Sequence, residues 1–354
     1  MKKIKNKILE DKINNFNPNK NGLTHHGIFG LPFGVEESKM VLVPVPWEAT
    51  VSYGVGTAEG PKAILDASQQ IDLYDLINPN GWKEGIAMQD IPSNIFYKNK
   101  QVREKTLKYF DKYTEGKIDK DLQTGINNDC LDLKNYVKEI TKKLLKENKI
   151  VGVVGGDHSV PLGYLETLSK KYKDFGILHI DAHADMREAY QGLEYSHAST
   201  FYNALKIKNI SKLVQVGVRD FCEQENELIK KESISRPNRI SLFTDYEIKK
   251  DIFCGKTLKE KFDEIISELP DNVYISLDID GLIPSLCPNT GTPVPGGFTI
   301  NELVFLFEKI IASGKKIIGF DLCEVAKGVG EWDGNIGARV LYKLCLLTLK
   351  SQRK

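Results

Sequence analysis

The sequence lacks paired cysteines, an excess of charge of either sign, and any apolar run of membrane-spanning length. Its six cysteines (Cys130, Cys222, Cys254, Cys287, Cys323 and Cys345) are scattered, with no C-x-x-C pair. That excludes a disulfide framework and a cysteine zinc knuckle and predicts reduced thiols. The 49 lysines and arginines nearly cancel the 48 aspartates and glutamates, leaving a formal net charge of +1. Bulk electrostatics therefore gives no reason to expect a nucleic acid or an anionic membrane as partner. No apolar stretch approaches the ~20 residues of a transmembrane helix. The first twenty residues are basic but have neither an apolar h-region nor a small-residue cleavage site, which predicts a cytoplasmic protein. Apolar residues at 41% and charged residues at 27% of 354 match a globular chain, and the length suits two ordinary domains or one large α/β domain.

What the sequence does hold is a regular alternation of apolar strand runs and helical stretches. The runs stand at 40–47, 149–154, 175–181, 212–218, 239–243, 272–279 and 315–322, with a last helical stretch over 334–350. Runs that are apolar throughout belong to strands buried on both faces, as in parallel sheets. The pattern predicts a three-layer α/β/α domain over 39–354, with a mostly parallel, doubly wound sheet. Residues 1–38, polar and rich in Lys and Asn, are expected to be an extension with little core of its own. Residues 80–128 are charged and turn-rich. They are expected to form an inserted surface excursion with one short helix near 101–113, ahead of a helix over 131–147.

Open α/β sheets bind ligands at the carboxyl ends of their strands, and the chemically reactive residues gather there. GGDHS (155–159) follows the run at 149–154, DAHAD (181–185) closes 175–181, SLDID (276–280) closes 272–279, and Glu324 follows 315–322. At strand period Asp181, His183 and Asp185 fall on one side of the chain, and Asp278 and Asp280 repeat that geometry. His158 follows two glycines that let the backbone turn sharply. Four carboxylates buried together without cations would repel one another and take up protons. Two divalent cations balance their formal charge. Imidazole and carboxylate ligands together suit Mn²⁺ best, with Fe, Co, Ni and Zn admissible. Taken singly, each motif is an ordinary turn or cap; their conjunction at the strand ends predicts the metal site. His179 shares the parity of Asp181 but lies deeper in its strand, and reads as a buried neighbour of the ligands.

GGDHS, DAHAD and SLDIDGLIPSLCPNTGTPVPGG resemble the three signature regions of the ureohydrolases: arginase, agmatinase, guanidinobutyrase and formimidoylglutamase. PWEATVSYGVGTAEGP is similar to that family's first Gly-rich segment, and the resemblance spans about 40–350. It implies an arginase-like fold, two Mn²⁺ per subunit and a homo-oligomer, trimer or hexamer. One ion would be held by His158, Asp181, Asp185 and Asp278, the other by His183, Asp181, Asp278 and Asp280. A hydroxide bridging the two ions would attack the guanidinium carbon, with Asp185 holding it by a hydrogen bond. Glu324 would pair with the guanidinium, and His197 would relay a proton to the leaving amine.

The resemblance departs at Ile283-Pro284, where the family commonly has Asp-Pro. The segment MREAYQGLEYSHAS also lacks the Thr/Ser/Asn-rich stretch with which arginases grip an α-amino acid. This points away from arginine and toward agmatine, cleaved to putrescine and urea. The alternative is formimidoylglutamate or another guanidino acid, with Arg187 binding its carboxylate. Arg187 is expected instead to pair with Glu188 or Glu194, which would otherwise receive the agmatine ammonium at the pocket mouth.

Overall fold

The computed structural model describes residues 2–19, 27–236 and 238–353. Its strands are Met40–Val45 (β1), Ile86–Met88 (β2), Ile150–Gly155 (β3), Phe175–Ile180 (β4), Ile210–Val216 (β5), Ile240–Phe243 (β6), Asn272–Asp278 (β7) and Lys316–Cys323 (β8). They form one sheet, parallel throughout, in the order β2-β1-β3-β8-β7-β4-β5-β6. The helices are Lys2–Asn15 (α1), Gly60–Ser68 (α2), Ser93–Thr114 (α3), Lys120–Lys146 (α4), Leu162–Lys171 (α5), Thr200–Ala204 (α6), Glu223–Ser235 (α7), Asp245–Phe253 (α8), Leu258–Ser267 (α9), Ile300–Ala312 (α10) and Trp332–Ser351 (α11).

The sheet separates two apolar layers. Along β7, Val273, Ile275 and Leu277 face one layer and Tyr274 the other, as the alternation of side chains on a strand dictates. Helices α2 and α8–α11 cover the first face through Ile64, Ile248, Phe262, Leu303 and Leu341. Helices α3–α7 cover the second through Ile95, Ile126, Leu165, Phe201 and Ile229. The result is the three-layer α/β/α architecture expected, with a wholly parallel sheet. The chain lays down β1–β3 on one side, crosses to β4–β6 on the other, and returns to fill the gap with β7 and β8. The four strands that end in reactive motifs, β3, β8, β7 and β4, thus become neighbours at the centre of the sheet. Among the described residues no helix is long and apolar enough to cross a membrane.

The N-terminal segment is no loose appendage: Ile28, Phe29, Leu31 and Phe33 are buried in the core of the α/β domain, Phe29 against Tyr342 and Phe33 against Trp82. Part of the extension, 20–26, lies outside the described residues. Residues 80–128 are no irregular excursion either. They supply the edge strand β2, all of α3 and the start of α4, which begins at Lys120 rather than 131. Asp119 starts α4 by accepting a hydrogen bond from Leu122 N (3.0 Å), as an N-cap should. The apolar stripes of these helices are narrow: Ile95, Val102 and Tyr109 on α3, and Ile126, Leu133, Val137 and Leu144 on α4. One core residue per seven amid lysines, as on α3, is a weak periodic signal that is easily read as loop.

Candidate metal centre

The turn after β3 brings His158 over the end of the sheet. It depends on Gly156, where a Cβ would meet Trp47 O at 1.9 Å. His158 Nδ1 faces three carboxylate oxygens, Asp181 Oδ2 at 3.0 Å, Asp278 Oδ2 at 3.2 Å and Asp185 Oδ2 at 3.4 Å. His183 Nδ1 faces Asp280 Oδ2 at 3.1 Å and Asp181 Oδ1 at 3.4 Å. Asp181 therefore turns one oxygen toward each imidazole. Backbone N–H groups hold the carboxylates in place: His183 N donates to Asp181 Oδ1 (2.6 Å), Asp280 N to Asp278 Oδ1 (2.8 Å) and Ala182 N to Asp280 Oδ1 (3.0 Å). All six residues expected as metal ligands come together here.

The back of the cluster is also built. His158 Nε2 lies 3.0 Å from Ser276 Oγ and 3.4 Å from Asp321 Oδ1, and Ser276 Oγ donates to Asp321 Oδ2 (2.6 Å). A proton on Nε2 is satisfied there, which leaves the Nδ1 lone pair aimed at the carboxylates. His179 lies 2.7 Å from Asp181 Oδ2 through Nε2 and 3.0 Å from the Gln215 amide through Nδ1, with its ring on Phe201. Both of its nitrogens are occupied, in keeping with a buried neighbour of the cluster.

Crowding these groups has electrostatic consequences. Burial, with the negative charge of its neighbours, pushes Asp185, Asp278 and Glu324 well above the ordinary carboxylate range. Burial opposes ionisation of His183, yet Asp280 and Asp181 raise it to about 12. With its own groups alone, the cluster holds its excess negative charge only by gathering protons. Divalent cations supply the same compensation without proton uptake, and imidazole nitrogen with carboxylate oxygen is a donor set they accept. The residues present fit such ions. Asp185 and Glu324 sit at φ 51° and 62°, a left-handed conformation unfavourable for non-glycine residues and often found at functional sites.

Above the cluster opens a cleft of about 320 Å³, with His183, Asp185, Asp278, His197 and Glu324 around its floor. Glu324 Oε1 accepts a hydrogen bond from His158 N (2.9 Å), whereas Glu324 Oε2 is buried with no partner among the described residues. His197 Nδ1 is likewise buried and unpartnered. Burial, helped by the positive charge of His183 and His158, pushes His197 down to about 4.

The cleft wall differs from expectation. Neither Glu188 nor Glu194 lines it; Tyr190, Asp220 and Glu225 do. Glu194 is exposed, its N–H donating to Asn127, and Glu188 lines an adjoining cavity on the outer side of Arg187. Arg187 reaches Glu225 Oε2 at 3.8 Å and lies 5.3 Å from the centroid of the Tyr190 ring. Its partner is thus Glu225, not Glu188 or Glu194. Asp220 follows β5 and bridges to His183 through the backbone. The strand-end rule, applied to the run at 212–218, would have found it. Glu225 and Tyr190 carry no such signal.

The residues 38–346 match the family model described as Arginase family. Over 304 residues the chain is 31% identical to the N(1)-aminopropylagmatine ureohydrolase of Thermus thermophilus, covering 82% of this chain and 84% of the relative. It is 30% identical over 292 residues to the agmatinase of Bacillus cereus, again 82% of this chain and 84% of the relative. The fold matches the proclavaminate amidino hydrolase of Streptomyces clavuligerus with a TM-score of 0.70 at 20% identity, covering 94% of this chain and all of that one. By the span of the family match and the identity to these relatives, the chain belongs to the arginase family and is a ureohydrolase.

Proposed function

We propose that this chain hydrolyses a guanidino substrate with a cationic tail at a centre of two Mn²⁺ ions, with agmatine, cleaved to putrescine and urea, as the first choice. The observation that carries this reading is the unpartnered, buried Oε2 of Glu324 on the cleft floor. A guanidinium N–H is the donor that satisfies it, and the charge-assisted contact fixes the plane of the group. His158, Asp181, Asp185 and Asp278 would hold one ion and His183, Asp181, Asp278 and Asp280 the other. Bound divalent cations lower the pKa of water and so supply a nucleophile at neutral pH. Hydrolysis adds water across the bond between the guanidinium carbon and the alkyl-substituted nitrogen; that bond breaks, and the nitrogen must leave with a proton. His197 carries the proton through Nδ1, the ring atom left without a partner.

Asp220 supports a cationic tail. It lines the cleft with an exposed carboxylate that a passing ammonium can reach. Arg187, the residue that would favour a carboxylate-bearing tail, also lines the cleft, but its guanidinium lies 3.8 Å from Glu225 Oε2 and over the Tyr190 ring, which partly answer its charge. A second reading, an agmatine extended by an aminopropyl group, is favoured by the name of the 31%-identical relative. Urea release from agmatine, N(1)-aminopropylagmatine, arginine and 4-guanidinobutyrate, with formamide release from formimidoylglutamate in parallel, tests the choice. Turnover of the amines alone is expected. Turnover of a guanidino or formimino acid alone would reverse it.

A further inference from the structure

The segment between Met186 and Ser196 forms one wall of the cleft, and much of its backbone is held from outside. Its turn closes on itself through Tyr190 N to Leu193 O (3.1 Å) and Leu193 N to Tyr190 O (2.9 Å), with Gln191 and Gly192 at φ 51° and 82°. Side chains from α3 and α4 take the groups this turn leaves over. Tyr109 Oη donates to Gln191 O (2.7 Å), Gln123 Nε2 to Gly192 O (2.9 Å) and Asn127 Nδ2 to the same carbonyl (3.3 Å). Asn127 Oδ1 accepts from Glu194 N (2.9 Å). The fit is close enough that a Cβ at Gly192 would fall 2.0 Å from the Gln123 amide. Helix α3 also holds the segment leading to Ser52 of the cleft lining, with Asn99 Oδ1 accepting from Glu48 N (2.7 Å) and Arg103 donating to Val51 O.

On its inner side the same turn presents Tyr190, whose ring centroid lies 6.1 Å from that of His197 and 5.3 Å from the Arg187 guanidinium. We infer that α3 and α4 are the positioning device of the active cleft: Tyr109, Gln123 and Asn127 fix the 190–194 turn, and through Tyr190 they fix His197 and the place of Arg187 in the cleft wall. This rests on the reading that the cleft binds a guanidino substrate and that His197 moves the proton. Tyr109, Gln123 and Asn127 reach the turn and not the cleft lining, so they are positioning residues, acting through Tyr190 and His197. The physical requirement is preorganisation, because a proton carrier displaced by about 1 Å can lose about 10²-fold in rate.

The test uses the full-length, metal-loaded protein with agmatine. Tyr109→Phe removes one hydroxyl from a buried ring and keeps the packing; it is expected to lower kcat about five-fold. The pair Gln123→Ala and Asn127→Ala is expected to lower kcat roughly ten- to a hundred-fold, with metal content unchanged. His197→Ala alone should lose about 10²–10⁴-fold. In that background the α4 pair should cost nothing further, because residues acting through one group are non-additive. An equal fold-loss in both backgrounds would overturn the inference and leave only a general packing role. Hydrogen exchange at Leu193 and Glu194 reads the clamp without activity. Exchange there should quicken in both variants, and unchanged exchange overturns the inference whatever the rates show. Failure of the wild-type protein to release urea from any guanidino compound, with exchange quickened, would instead remove the functional reading beneath it.

Discussion

Apart from His197, which opens the short helical turn before α6, the floor of the cleft takes its reactive side chains from the ends of four neighbouring strands or the turns just after them, β3, β8, β7 and β4. Its wall takes them from a loop, a helix start and the turn after β5, and is held in place by helices α3 and α4. The floor packs ionisable groups so densely that the cluster requires added cations or protons. The wall consists of residue types common on any surface. The floor is thus built on strand ends fixed by the sheet's hydrogen bonds, and on the proposed reading the wall, which lies outside the sheet, is the part that would meet the substrate's tail.

The largest effect expected belongs to the floor. Asp181→Asn removes the carboxylate that faces both imidazoles, so bound metal and turnover should be lost together, the latter by more than about 10³-fold. Metal content by elemental analysis, measured beside urea release, checks this. Two ions retained by the Asp181→Asn protein would mean that the cluster is not the metal centre. Next in size is the support behind the floor. Asp321→Asn weakens the hydrogen-bond partner of His158 Nε2 while leaving the ligands themselves intact. It should loosen metal binding about 10–100-fold in a chelator competition. Metal affinity equal to wild type would show that His158 is oriented by packing alone.

The same contrast explains what could be read in the sequence. GGDHS, DAHAD and SLDID announce themselves because closely spaced aspartates and histidines at apolar strand ends have few structural uses. The spacing that makes them legible is the spacing that brings them together. His158 and Ser276 are 118 residues apart, yet the sheet order puts only β8 between their strands and the turn after β3 carries His158 across to Ser276. Asp321 stands inside an apolar run ahead of Glu324, where a single acid carries no pattern. Tyr109, Gln123 and Asn127 were illegible for a different reason. Their role lies in reaching backbone groups of a loop some 70 residues away, and nothing local in α3 or α4 records it.

A third test moves to the wall and sets Asp220, proposed to meet the tail, against Glu194, one of the two carboxylates the sequence favoured. Asp220→Asn should raise KM for an amine-tailed guanidine about ten-fold, the scale of one hydrogen bond to a charged group, and leave kcat nearly unchanged. Glu194→Gln, on an exposed residue outside the cleft, should change neither constant. A KM shift in the second variant and none in the first would return the ammonium site to the loop.

The smallest effect separates the stability of the wall from its positioning. Glu166 on α5 receives Lys134 Nζ at 2.7 Å and Lys138 Nζ at 2.6 Å, both from α4. Burial alone would raise this carboxyl, but the two lysines prevail and hold it below its ordinary value of 4.5. A depressed folded-state pKa contributes stability above the unfolded value, and that contribution is lost as pH falls through the folded one. The pair of ion contacts is 23% exposed at the glutamate, so its worth is about 1 kcal/mol at most. Glu166→Gln should therefore lower the thermal midpoint slightly at pH 7, and the gap to wild type should close as the pH drops below about 4. Because Glu166 ties α4 to α5 without touching the 190–194 turn, the turnover of the folded variant should stay at the wild-type level. A loss of turnover as large as that of the Gln123 and Asn127 pair would mean that any loosening of α4 disables the cleft, and the clamp would lose its special place.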